Sequence, residues 1–165
     1  MSREDSATDG GGMIAVIQRV NSATVYADGE FSGSIEKGLY ILLGVAKGDS
    51  EEDARLLSEK ISKLRIFSDE NGKMNLSVMD VDGEILVVSN FTLNANYSHG
   101  NRPDYFASAS PSEADALYEY FKGLMSSKTK KLASGVFGAD MRTEMSTDGP
   151  VTIVMDSAVL KGGRK

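Results

Sequence analysis

Residues 145–156 read "MSTDGPVTIVMD". Met141 to Met145 and Val151 to Met155 each alternate as a strand does. Yet Gly149-Pro150 stands between them, and a proline has no N–H to give to a sheet. An Asp-Gly pair alone suits a tight hairpin turn. Asp-Gly-Pro differs, because Gly149 can take backbone angles closed to other residues and the bond to Pro150 can be cis. Two strands, near 140–147 and 151–156, are expected to close the chain around this stiff peptide.

Upstream, "MIAVIQRV" (13–20) reads as a strand, and "SATVYADGEFSGSI" (22–35) as a hairpin turning at Asp28-Gly29. "GLYILLGVA" (38–46) is an unbroken apolar run, which suits a strand buried on both faces. Ser50 with Asp53 three residues on predicts a capped helix, with Ala54, Leu57, Ile61 and Leu64 along one face. A second Asp-Gly turn, at Asp82-Gly83, leads into an apolar strand expected to run from Ile85 to Leu93. Ser110, Pro111 and Glu113 mark the start of a second helix, whose buried stripe is Ala114, Leu117, Tyr118, Phe121 and Leu124. Many antiparallel strands with two main helices make a single α+β domain over residues 13–165. The polar, Gly-rich residues 1–12 read as a disordered extension or a cloning remnant.

The chain has 165 residues, enough for one domain with its own core, and no cysteine, so disulfides and thiol chemistry are excluded. No apolar run approaches membrane-spanning length and no secretory signal precedes the fold, so a cytoplasmic protein without membrane attachment is expected. The net charge of −6 argues against a broad nucleic-acid-binding face. Residues 122–165 nevertheless carry eight Lys or Arg against four acids. Lys128, Lys130 and Lys131 could meet phosphates there, but a solvated helix end and loop is the better account, since charge runs are usually just wet.

The sole histidine, His99, sits in a Ser-His-Gly-Asn loop and reads as an ordinary loop residue. Without cysteine, a metal site is not expected, and no glycine-rich phosphate loop indicates a bound cofactor. Asp80 and Asp82 flank a turn, where acids are common. Two stretches stand out. Ser89-Asn90-Phe91-Thr92 places small polar groups where an apolar strand meets a loop, either as a strand's polar face or as a floor of N–H groups and hydroxyls for a carbonyl or ribose. The other is Gly149-Pro150, a rigid turn on its own terms, while Arg19 alone reads as a surface arginine.

"MIAVIQRV", "GKMNLSV", "ILVVSNFTL", "GNRP", "GADM" and "DGPVTI", in this order and spacing, closely resemble the D-aminoacyl-tRNA deacylases. The likeness runs from Met13 to about Asp156. The sequence departs once from each of that family's two signatures, with Asn90 for Gln and Thr147 for Asn. The resemblance implies a homodimer with a barrel-like, mostly antiparallel β core and hydrolysis of the ester between a D-amino acid and the terminal adenosine of tRNA. Glycyl-tRNA would be accepted and L-aminoacyl-tRNA refused. Ser89, Asn90, Phe91 and Thr92 would form the catalytic floor, with backbone N–H groups around Phe91 and Thr92 as oxyanion donors. Gly149 and Pro150 would enter the partner's site and select chirality, Arg19 would brace them, and Met141 would line an adenine pocket. No cofactor or metal is implied, and the partner is tRNA. A hydrolase of small esters or D-peptides that ignores RNA is the alternative. A non-catalytic RNA-binding module fits less well, for want of a stacking platform on a strand or a general basic face.

Overall fold

The computed structural model describes residues 12–162. The expected extension over residues 1–12 therefore lies, except for the buried Gly12, outside the described residues. The first strand, β1 (Ile14–Ala27), is continuous where the sequence suggested a strand followed by a separate hairpin arm. Asp28 and Gly29 both take positive φ, +51° and +85°, and turn the chain into β2 (Glu30–Ile35) as a two-residue hairpin. β3 (Gly38–Gly44) pairs with the first half of β1. Helix α1 (Glu51–Lys63) and a small β4–β5 ribbon (Phe67–Ser68 with Met74–Leu76) lead to β6 (Glu84–Ser89).

The expected strand to Leu93 stops at Ser89, and Phe91–Asn94 form a single 3₁₀ turn. Asn90 causes the break: its Oδ1 accepts from the Thr92 N–H at 3.1 Å and caps the turn. Helix α2 (Pro111–Ser126) starts where predicted, with Ser110 Oγ accepting from the Glu113 N–H at 3.3 Å. Its fully buried residues are Tyr118, Phe121 and Met125, while Ala114, Leu117 and Leu124 are half-buried at the margin. The chain ends with β7 (Leu132–Ser134), the 16-residue β8 (Met141–Asp156) and a third helix that the sequence did not suggest, α3 (Ser157–Gly162).

The sheet runs β2-β1-β3-β6-β7, with β8 along the other edge of β1. β1 pairs antiparallel with β2, β3 and β8, whereas β3-β6 and β6-β7 are parallel, so the sheet is mixed. Its ends nearly close. Ser32 Oγ of β2 donates to the Ser134 carbonyl of β7 at 2.7 Å, and a Cβ on Gly33 would sit 2.9 Å from that of Ala133.

Both apolar runs are buried on two faces. Leu39, Ile41, Leu43, Ile85 and Val87 pack on Leu57, Ile61, Tyr118 and Phe121 of the helices. Tyr40, Leu86 and Val88 face the other way, onto Val20, Ala23, Val25 and Ile35. An alternating pattern would have left one of these faces wet.

Asp53 ties three elements together. Its Oδ2 accepts from the Ser50 N–H at 2.8 Å, as the sequence suggested, while Oδ1 accepts from Ser157 Oγ at 2.6 Å and pairs with Lys161 at 3.0 Å. Ser157 Oγ in turn accepts from the Met13 N–H at 2.9 Å. Burial disfavours the Asp53 charge, but the bonds from Ser157, Ser50 and Lys161 outweigh it and hold the carboxyl below its usual range. Asp49 nearby is pushed up to about 6, chiefly by burial, against the Ala46 N–H that it accepts at 2.7 Å.

Candidate active site

Where β3 and β6 end, the 3₁₀ turn, the N-terminus of α2 and the segment 137–143 enclose a cavity of about 800 Å³. Ser89, Asn90, Phe91 and Thr92 form one wall, and Gly138, Ala139, Asp140 and Met141 another. The structure thus brings the Ser89–Thr92 stretch, singled out from the residues alone, together with "GADM", one of the stretches that carry the family resemblance. Gly135 leaves room for Met141: a Cβ there would collide with the Met141 sulfur. Tyr40 and Thr143 also reach the cavity, their hydroxyls 3.0 Å apart. Sequence reasoning missed both; a lone phenol amid aliphatic neighbours in "GLYILLG" was the available signal.

Among the described residues Asp140 is the sole charged side chain on the lining. Thr92 Oγ1 donates to Asn90 Oδ1 at 2.5 Å, so its proton points at an amide oxygen, which is no base. The Thr92 N–H goes to the same atom and is therefore spent on the cap rather than aimed at the cavity. This departs from the expected pair of oxyanion donors. Among the described residues the Phe91 N–H has no protein acceptor, which leaves it as the available donor of the two.

Gly149 and Pro150 do not line this cavity. They lie six and seven residues along β8 from Thr143, the nearest lining residue on that strand, about 20 Å of chain at the rise of a strand. The ladder shows how a proline fits inside a strand. Gln18 pairs with Thr152 and Val20 with Thr147, so Arg19 alone on β1 faces residues 148–151 on β8. The Asp148-Gly149-Pro150-Val151 segment bulges out of the ladder, where no N–H is required of the proline. The Gly149-Pro150 peptide is cis, and Gly149 has φ +131°.

Arg19 is 9% exposed rather than a surface residue. Its Nη1 donates to the Ile66 carbonyl at 2.6 Å and its Nε to the Asp148 carbonyl at 3.2 Å, with the Asp148 carboxylate 3.1 Å away. A Cβ on Gly149 would approach Arg19 Nη2 to 3.3 Å. His99 is exposed in the loop after the 3₁₀ turn, and Lys130 turns towards Asp82 at 3.6 Å. Among the described residues no three His, Asp or Glu side chains converge as metal ligands would, and no helix is long and apolar enough to cross a membrane.

Residues 16–156 match the family model described as D-Tyr-tRNA(Tyr) deacylase. A D-aminoacyl-tRNA deacylase of Geotalea daltonii is 51% identical over 145 residues, covering 88% of this chain and 97% of its own. That of Dictyoglomus turgidum is 49% identical over 153 residues, covering 93% and 98%. Among solved structures, one described as c-Myc DNA unwinding element binding protein superposes with TM-score 0.81 at 37% identity, over 86% of this chain and 97% of that one. A probable eukaryotic D-amino acid tRNA deacylase superposes with TM-score 0.78 over 87% and 98%; at 13% identity it speaks for the fold alone. With half its residues shared across almost the full length of such relatives, and the two walls of its cavity built from the stretches that carry the likeness, the chain belongs to the D-aminoacyl-tRNA deacylase family.

Proposed function

We propose that the cavity holds the terminal adenosine of a D-aminoacyl-tRNA, and that the protein hydrolyses the ester attached to it. One observation carries this reading: a cavity of about 800 Å³ whose walls are the "SNFT" and "GADM" segments and in which, among the described residues, no lining hydroxyl is hydrogen-bonded to a carboxylate or imidazole. An aminoacyl ester is already activated, so such a site need only position it and stabilise developing charge. Water adds to the ester carbonyl, the Phe91 N–H receives the oxyanion, and the C–O bond to the ribose breaks as the water's proton passes to the departing ribose oxygen. The substrate's own 2′-hydroxyl orients that water. Met141 supports the base by apolar contact.

Chirality would be set by Gly149-Pro150 of a second copy in a two-fold homodimer. Three features support this: the dipeptide is not part of its own chain's cavity lining, it is exposed, and among the described residues β8 pairs along one edge only, with Val154 70% exposed. Long bare edges invite pairing with another chain. A fixed backbone wall beside the substrate's Cα admits hydrogen and excludes carbon, so D-residues and glycine fit while every L-side chain collides.

The test is deacylation of matched D-Tyr-, L-Tyr-, L-Ala- and Gly-tRNA alongside D-tyrosine methyl ester. Hydrolysis of the D- and glycyl-tRNAs alone is expected. Equal rates on the methyl ester would favour a small-ester hydrolase, and hydrolysis of L-Ala-tRNA would defeat steric exclusion.

A further inference from the structure

Residues 95–109 follow the 3₁₀ turn and carry Tyr97 and Phe106, which at 79% and 77% are the most exposed large apolar side chains among the described residues. Isolated exposed aromatics are unremarkable. These two, however, are held out by a loop that is pinned at both ends. Asn96 and Asp104 exchange both backbone bonds, at 2.8 and 2.9 Å, and Asn96 Oδ1 accepts from the Ser98 N–H and hydroxyl. The Lys47 N–H donates to the Ala107 carbonyl, and the Ala109 N–H to that of Val45.

The same loop is joined to the cavity wall. Tyr105 meets Phe91 edge to face at 4.9 Å, and Ser108 Oγ donates to the Phe91 carbonyl at 3.3 Å. Between Ile85 and Ser110 the only charges are Arg102 and Asp104, so this rim is neutral in a chain of net −6. A polyanion meets no excess of negative charge in this segment, and Arg102 is exposed at the loop tip.

We infer that Tyr97 and Phe106 form a stacking platform for the unpaired nucleotides that precede the terminal adenosine of the substrate RNA. The inference rests on the proposed reading of the cavity. If the cavity takes the last nucleotide, the single strand must leave across its mouth, and the pinned loop borders that mouth through Phe91 and Ser108. Single-stranded bases gain affinity by stacking on aromatic rings, without regard to sequence.

The experiment compares D-Tyr-tRNA with 3′-O-D-tyrosyl-adenosine as substrates for wild type, Tyr97→Ala and Phe106→Ala. Each variant should lose roughly tenfold in kcat/KM on the tRNA and nothing on the tyrosyl-adenosine. A tRNA with an abasic penultimate nucleotide should bring wild type down to the variants' level. As a readout apart from catalysis, 2-aminopurine at the penultimate position of a single-stranded RNA ending in adenosine should be quenched by wild type and less by the variants. Equal losses on both substrates, no loss on either, or a change of oligomeric mass in the variants would overturn the platform. A wild type inert on both substrates would overturn the reading of the cavity itself, and the platform with it.

Discussion

At Asn90 one side-chain oxygen holds both the N–H and the hydroxyl of Thr92. The residue shapes the site by capping the turn, and Thr92 is a positioned group rather than an activated one. Thr92→Ala should therefore slow deacylation of D-Tyr-tRNA by roughly ten- to a hundredfold, less than the loss of a direct oxyanion donor, and Thr92→Ser should recover most of the rate. Complete inactivity of a folded variant, with an acyl-threonine trapped on the wild type, would make Thr92 the nucleophile. The four residues were legible as a group because small polar groups follow "ILVV" abruptly. Their geometry was not, since apolar alternation continues through Phe91 and Leu93 and masks the point where the strand gives way to a 3₁₀ turn. Arg19 was misread on its own terms for a related reason: nothing local reveals that its acceptors are carbonyls 47 and 129 residues away.

Among the elements, β8 depends on a single buried guanidinium to order its bulge. Arg19 reaches two carbonyls with one rigid fork, a geometry that an ammonium on a flexible stem does not reproduce. Arg19→Lys is expected to cost about 2 kcal/mol through the weakened hydrogen bonds to Ile66 and Asp148. Its clearer effect should be on selectivity: the ratio of D-Tyr- to L-Tyr-tRNA hydrolysis should fall by at least tenfold while the rate on the D-substrate changes less. An unchanged ratio in a destabilised protein would make Arg19 a packing residue only. The elements themselves were largely readable, because "GLYILLG", the α2 cap at Ser110 and the Asp28-Gly29 turn each carry their own local physics. Strand order was not. The parallel β3-β6-β7 pairing and the continuity of β1 and β8 arise from packing across the whole chain, which a local pattern does not encode.

Across the whole molecule, stability should carry the imprint of Asp49. With its carboxyl raised from 3.8 to about 6, the native state binds that proton more tightly than the unfolded chain. Stability from this group is full below about pH 4 and is lost as pH rises to about 6. Asp49→Asn, which keeps an oxygen for the Ala46 N–H, should gain on wild type across that window by at most about 2 kcal/mol, solvent screening included. Denaturant titrations at pH 4, 5, 6 and 7 would show it, and a constant difference would refute it. Asp53 acts in the opposite sense: its lowered carboxyl contributes above about pH 4 and fails in stronger acid. Assembly gives the stricter test. If each cavity is completed by the partner's dipeptide, the solution mass should be about twice the 17.7 kDa of one chain. Two defects in different places should then complement. Gly149→Ala displaces the dipeptide, since its Cβ would fall 2.8 Å from the Val151 nitrogen at a φ of +131°. Ala139→Arg fills the cavity instead. Each variant alone should be nearly inactive. In an equal co-expressed mixture, roughly half the dimers are mixed, and each mixed dimer has one site with both parts intact, so about a quarter of wild-type activity should return. Were cavity and dipeptide to act within one chain, every chain in the mixture would still carry a defect and no activity would reappear.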